Sequence, residues 1–323
     1  MPITAAILLG ILVNCIWGFA FLVPHLLLDV DPILITLGRY LCYGAISVMI
    51  LATWRSVSLA GMTRSDWGMA VALAFTGNVG YYALLVTAVQ LGGVPIAALV
   101  IGTLPVTVAV VGNIVQREFR FRILAPAITL ILLGLVLLNG HALTRTGDDA
   151  AATRTLWGLL AALGALVLWT WYGIRNAQYM KSRLHVDANA WSVAIGIATA
   201  GLSLAALPLI LAAHALVPAV NLAVFADRGL LLGLIAGSLF LGIVVSWLAT
   251  VMWNRVARVL PIAMAGQLVV FETLSSLIYA FVADQRWPTF IEIASAALIL
   301  TGVVLGIRAT LRVAARPARE ATS

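Results

Sequence analysis

Apolar stretches of about 20 residues, separated by short polar or glycine- and proline-bearing turns, recur along the whole chain. Ten are legible, at about 3–24, 33–54, 67–90, 94–115, 122–141, 156–180, 188–213, 230–253, 262–283 and 289–310. A helix of about 20 residues spans the roughly 30 Å hydrocarbon core of a bilayer. An open sheet or loop facing lipid would leave its backbone unpaired, and barrel strands would alternate apolar with polar positions, which these stretches do not. The pattern predicts an all-α membrane protein of ten transmembrane helices with no soluble domain. The first stretch lacks the basic start and short apolar core of a cleavable signal, so it is read as a helix.

Composition agrees. The chain is 63% hydrophobic and 10% charged with a mean hydropathy of +1.09, where a soluble domain carries about 25% charged residues. Its net charge of +7 follows the expected membrane topology and does not indicate nucleic acid. Basic residues cluster at 55–64, 117–122, 175–183, 255–258 and 308–319, segments that fall on one side if both termini are cytoplasmic. Only Arg145, Arg154, Arg228 and Arg286 fall on the other, so the positive-inside rule places both termini in the cytoplasm. Cys15 and Cys42 lie within stretches and read as small packing residues with no disulfide.

The two halves repeat. Aligned without gaps, Pro95, Ile96 and Ala97 fall on Pro261, Ile262 and Ala263, Glu118 falls on Asp284, and Tyr81 falls on Trp247. Five spans per half is an odd number, so the second half must be inverted in the membrane. The charges agree, since the Gly92-Gly93 turn carries no cation while its counterpart holds Arg255 and Arg258. Inverted repeats mark secondary transporters with a site between the halves near the midplane. The expected organisation is a five-helix repeat over 1–144, an extracytoplasmic linker at 145–155, an inverted repeat over 156–310 and a basic tail at 311–323.

The sequence resembles the drug/metabolite transporter superfamily, EamA type. The resemblance is carried by Trp17–Phe21 ("WGFAF"), Asp31-Pro32 followed by Arg39, the "YYALLVTA" end of span three, Pro105, Glu118 and the "LILLGLVLLN" close of span five. Within it the chain is similar to YddG-type aromatic amino acid exporters. The resemblance implies two inverted five-helix repeats around a central cavity, export by alternating access, and a bacterial-type inner membrane. The second half departs from the pattern: Phe271 stands where a second Pro105 is expected, and Asp284 replaces a glutamate.

Polar and aromatic side chains inside the spans are the candidate site. Gly10, Asn14, Trp17, Gly18 and Phe21 share one helical stripe. Lipid would leave the Asn14 amide unsatisfied, so the stripe faces protein or water, either an interhelical hydrogen bond or a cavity. Asn78, Tyr81 and Tyr82 make a similar stripe, and Trp169, Tyr172 and Asn176 repeat it in span six. Trp247 lies mid-span, whereas Trp54, Trp67, Trp157, Trp191, Trp253 and Trp287 lie at or near span ends, as an interfacial belt requires. Indole and phenol rings with polar tips suit a hydrated pocket for an aromatic solute. Trp171 points away from Trp169 and reads as packing or lipid-facing.

Two ionisable side chains lie deep. Glu272 sits near the centre of span nine with Gln267 before it. A midplane charge costs roughly 2.5–3.5 kcal/mol on insertion scales, so Glu272 either serves transport, pairing with a substrate ammonium or a proton, or is a neutral, hydrogen-bonded carboxyl. Arg39 either holds a substrate carboxylate or ties its helix in place, the structural role being favoured. Asp29 and Asp31 read as solvated loop residues, and Glu118 and Asp284 as caps or neutralisers of span ends. Pro105 and Pro208 are candidate kinks.

Rival classes lack their chemistry. No span sets a histidine near a serine, and neither an HExxH motif nor a GxxxxGK[ST] loop occurs, so protease and nucleotide-driven pump are set aside and no cofactor or metal is expected. An exchanger of nucleotide sugars or other anionic metabolites would need several deep cations where Arg39 stands alone; a multidrug exporter remains the other alternative. The expected partners are the bilayer and a small-molecule substrate, and the chain is expected to be monomeric.

Overall fold

The computed structural model describes residues 2–54, 57–104, 106–107, 110–111, 122, 124–145, 149–182, 188–216, 221–257, 259 and 268–314. Among them the regular structure is helical, with no strand. Helices occur within each of the ten apolar stretches: α1 (Ile3–Leu26), α2 (Pro32–Thr53), α3 (Arg64–Gly92), α4 (Val94–Ile101), α5 (Ala125–Arg145), α6 (Asp149–Ser182), α7 (Ala188–Leu216), α8 (228–257), α9 (Val270–Ala283) and α10 (Phe290–Ala314). Six of these, α1, α2, α3, α6, α7 and α8, are long and apolar enough to cross a membrane. Shorter apolar helices run over Ala125–Leu138, Val270–Ala283 and Phe290–Gly306.

Local chemistry sets the ends. Asp31 caps α2 by accepting from the Ile33 amide at 2.9 Å, with Pro32 in the first turn. It also accepts from the Asn221 amide at 3.1 Å, so it is a cap and a loop tie rather than the solvated residue expected. Thr63 and Asp66 form a capping box on α3, and Thr289 with Glu292 reproduces its reciprocal bonds on α10. Gly93, at φ 83°, turns the chain between α3 and α4 in a conformation that side chains resist. The linker expected at 145–155 is mostly helix, because α6 begins at Asp149. Its opening is alanine-rich, a strong helix-forming composition.

Two helices are locally widened. α3 passes through a π-helical segment at Phe75–Val79, and α8 through another at Leu241–Leu248. Such widening usually marks a functional position.

Packing follows a regular scheme. α1 packs on α9 and α6 on α4; α3 packs on α6 and α8 on α1; α2 packs on α8 and α7 on α3. The pairs α2–α7, α4–α9 and α5–α10 pack as well, and α1 and α2 also touch α3. Small residues set the α2–α7 approach: a methyl added at Gly44 would fall 2.1 Å from Ala200, and one at Gly196 would fall 2.1 Å from Ser47. Phe21, Tyr82, Leu85, Leu99, Leu241 and Ile299 lie in one continuous apolar core. Outside, Val136, Leu209 and Val282 are 69%, 70% and 71% exposed, an apolar surface suited to lipid.

Candidate transport site

The interior is organised around Arg39. α2 carries it at only 8% exposure, where its Nε donates to Ser246 Oγ at 2.9 Å. Ser246 lies in the widened segment of α8, so this bond joins helices from the two halves of the chain. The guanidinium carbon stands 4.1 Å from the Tyr82 ring centre and 5.2 Å from that of Tyr40. Ring faces stabilise a partly desolvated cation. Tyr40 is edge-on to both Tyr82 and Tyr43. Glu272 lies in the first turn of α9, half-buried. The two opposite charges do not form a direct ion pair among the described residues.

Of the expected residues, Arg39 and Tyr82 meet here. Tyr82 is fully buried, its ring under Arg39 and its hydroxyl donating to the Ala20 carbonyl at 3.0 Å. That carbonyl needs a donor, because the residue four positions on is Pro24, which has no N–H. Tyr172 packs over Gly77, where a methyl would fall 2.2 Å from the ring. The phenol rings therefore sit where the α3 backbone lets them approach.

Others lie apart from Arg39. Asn14 is fully buried, away from lipid as expected, but its Nδ2 donates to Gly10 O of its own helix at 2.8 Å instead of crossing to another. Its Oδ1 has no partner among the described residues. Trp17 is half-buried and packs at a tilt on Trp253, ring centres 5.3 Å apart. Phe21 is buried in the core. Asn78 donates to Thr199 Oγ1 at 2.9 Å, tying α3 to α7. Trp169 packs on Tyr172 at 5.8 Å, and Trp247 is half-buried in the widened segment of α8. The helix of α7 continues through Pro208. Pro105, Gln267 and Glu118 lie outside the described residues.

The belt expected from tryptophan positions needs correction at two residues. Trp54, Trp157 and Trp287 are exposed as expected, and so is Trp171. Trp191 is instead 2% exposed, stacked on Tyr179 with its Nε1 donating to Asn176 Oδ1, and Trp253 packs on Trp17. A span-end position fixes depth and not azimuth, so an indole there turns inward when a polar partner is at hand. Tyr40 and Tyr43 were missed by the sequence reading. Part of the signal was present in "GRYLCYG", where Tyr43 lies four residues after Arg39 and so on the same helix face, while Tyr40 follows it directly and does not.

A second polar cluster closes one end of the bundle. His25 Nε2 at the end of α1 lies 2.7 Å from Asp284 Oδ1 just past α9, and Arg286 bridges Asp284 at 3.4 Å and Glu292 at 2.8 Å. Asp284 is thus an inter-helix tie. These residues, with Gly93 and Trp287, line a cavity of about 460 Å³ beside the α3–α4 turn.

With this geometry in hand, comparison with known proteins is informative. Residues 4–140 match the EamA-like transporter family. The chain is 32% identical over 312 residues to the inner membrane protein YtfF of Escherichia coli (strain K12), covering 94% of this chain and 95% of that protein. The chain belongs to the EamA-like transporter family. This family lies within the drug/metabolite transporter superfamily, as the motifs around Trp17, Arg39 and Tyr82 implied. A solved crystal structure, 22% identical, superposes with a TM-score of 0.60 over 99% of each chain. The fold of that structure is thus shared over nearly the whole length of this chain.

Proposed function

We propose that this protein is an inner-membrane secondary transporter that exports amino acids, aromatic ones preferred, by alternating access. Its ten helices form two inverted five-helix repeats, with both termini cytoplasmic. The observation that carries the substrate reading is the buried Arg39, held on Ser246 and covered by the rings of Tyr82 and Tyr40, with Tyr43 edge-on to Tyr40. A ring-lined polar interior binds a solute with an aromatic body and charged ends.

Two facts support the repeat. Exchanging α1–α5 with α6–α10 in order interchanges α1–α9 with α4–α6, α3–α6 with α1–α8 and α2–α8 with α3–α7, and returns α2–α7, α4–α9 and α5–α10 to themselves. The widened segments begin at Phe75 and Leu241, 166 residues apart, the same separation as Pro95 and Pro261. The Arg39–Ser246 bond, between helices of different halves, supports a site at the interface that alternating access requires. Asn14, Trp17, Trp169 and Trp247 then belong to the walls of the pathway, and the His25–Asp284 cluster to its outer mouth. The protein works as a monomer without a cofactor.

One charged group weighs against the anionic-metabolite alternative. A nucleotide sugar carries two phosphate charges, and among the described residues Arg39 is the one buried cation to meet them. The test is efflux from cells preloaded with labelled phenylalanine. Overproduction of the protein is expected to speed efflux several-fold. Unchanged phenylalanine efflux, with faster efflux of a lipophilic cation, would move the assignment to a multidrug exporter.

A further inference from the structure

The cavity beside the α3–α4 turn has the chemistry of a binding site of its own. Its volume is about 460 Å³, within the roughly 300–1,000 Å³ usual for small-molecule sites. One wall is apolar, built from Val94, Ile96, Leu138 and Ala280. The other carries His25, Asp284, Arg286 and Glu292, two carboxylates against one guanidinium. None of these residues belongs to the cluster around Arg39. The hydrogen bonds decide which charge is left for a ligand. Glu292 accepts from Arg286 Nη1 at 2.9 Å and Nη2 at 2.8 Å, and from the Thr289 amide and hydroxyl at 2.7 and 3.0 Å. Those bonds fill the roughly four lone-pair sites of a carboxylate. Arg286 spends its forked edge on Glu292 and a face on the Phe281 ring, 4.8 Å away, so no fork remains for an anion. Asp284 is different. Its Oδ1 lies 2.7 Å from His25 Nε2, but its Oδ2 meets only Arg286 Nε among the described residues, at a long 3.4 Å. Acceptor capacity in this lining therefore rests with Asp284.

We propose that this cavity binds a small primary amine with an apolar body, its ammonium on Asp284 and its body against Val94, Ile96, Leu138 and Ala280. Trp287, 91% exposed, lines the same cavity, and an open indole face attracts ammonium groups. An acid of the same shape is refused, because its carboxylate would meet Asp284 with no cationic fork free to receive it.

The test is equilibrium binding of labelled phenethylamine to the purified full chain in detergent, with phenethyl alcohol and 3-phenylpropionate as competitors. Saturable binding is expected, displaced by unlabelled phenethylamine roughly tenfold or more better than by either competitor. Asp284→Asn is expected to weaken it roughly tenfold or more, since a charge-assisted bond is lost. His25→Ala is expected to tighten it, by up to about fivefold, because His25 and the ammonium compete for Asp284. A cluster that only ties the helix ends together predicts the opposite, both substitutions weakening binding through a loosened cavity. No saturable binding, equal displacement by the acid or the alcohol, affinity untouched by Asp284→Asn, or weakening by His25→Ala would each overturn the assignment. If Asp284→Asn does not fold, as judged by size exclusion, the competitors and His25→Ala decide. The readout is binding and not transport, so it stands apart from the proposed export.

Discussion

Tyr82 offers the sharpest separation of scaffold from site, because its hydroxyl and its ring do different things. The hydroxyl donates at 3.0 Å to the Ala20 carbonyl, which Pro24 cannot serve. The ring lies 4.1 Å from the Arg39 guanidinium carbon. Tyr82→Phe removes the first contact and keeps the second. A buried acceptor left without its donor costs about 1–3 kcal/mol. Pro24→Ala returns an N–H four residues after Ala20, so the carbonyl regains a helical partner and the hydroxyl becomes dispensable. The double-mutant cycle is therefore expected to show a coupling of about 1–2 kcal/mol. Apparent unfolding midpoints in detergent, followed by size-exclusion recovery after heating, give the readout. Tyr82→Phe should lower the midpoint by several degrees in the native background and by less than half as much beside Pro24→Ala. Phenylalanine transport per folded molecule should be nearly unchanged. Equal losses in both backgrounds would refute the role assigned to Pro24, and loss of transport without loss of stability would assign the hydroxyl to the substrate.

Other consequences are checked more simply. Trp17→Ala should cut transport per folded molecule roughly tenfold, with Trp17→Phe recovering part of it, since a ring can still pack on Trp253; equal activity in all three would take Trp17 out of the pathway. Gly44→Val should destabilise the α2–α7 contact by about 1–3 kcal/mol or more, whereas Gly201→Ala, where nothing lies within 4 Å, should be neutral or stabilising by up to about 1 kcal/mol. Both are read from unfolding midpoints. Asp284→Asn breaks the half-exposed tie to His25 and should cost at most about 1 kcal/mol. That deficit should shrink in high salt, and a deficit independent of salt would mean that the contact is not electrostatic.

How much was legible depended on which physical signal a residue carries. Apolar length is written along the chain, so among the described residues helices fall within the stretches predicted, except that the alanine-rich helix start at 149–155 was read as linker because it is polar on average. The packed centre was partly legible. Arg39, Tyr81, Tyr82 and Glu272 stand out because a deep charge or phenol needs a partner. Tyr40 and Tyr43 did not, because they look like ordinary packing residues until the position of Arg39 on α2 is fixed. Asn14 shows the opposite limit. Its burial was foreseeable, but the choice between bonding its own helix and bonding a neighbour depends on a rotamer, which no spacing records. The π-helical segments were invisible for a similar reason. A single added residue per helix changes no hydropathy pattern, yet it places Ser246 against Arg39.

The most direct test of the account is counterflow in proteoliposomes containing the purified protein. Vesicles preloaded with unlabelled phenylalanine and diluted into a trace of labelled phenylalanine should accumulate label to a transient overshoot that empty vesicles lack. Vesicles preloaded with a nucleotide sugar should show none. No overshoot with phenylalanine, or an overshoot with the nucleotide sugar alone, would contradict the assignment of the Arg39–tyrosine interior to aromatic amino acids.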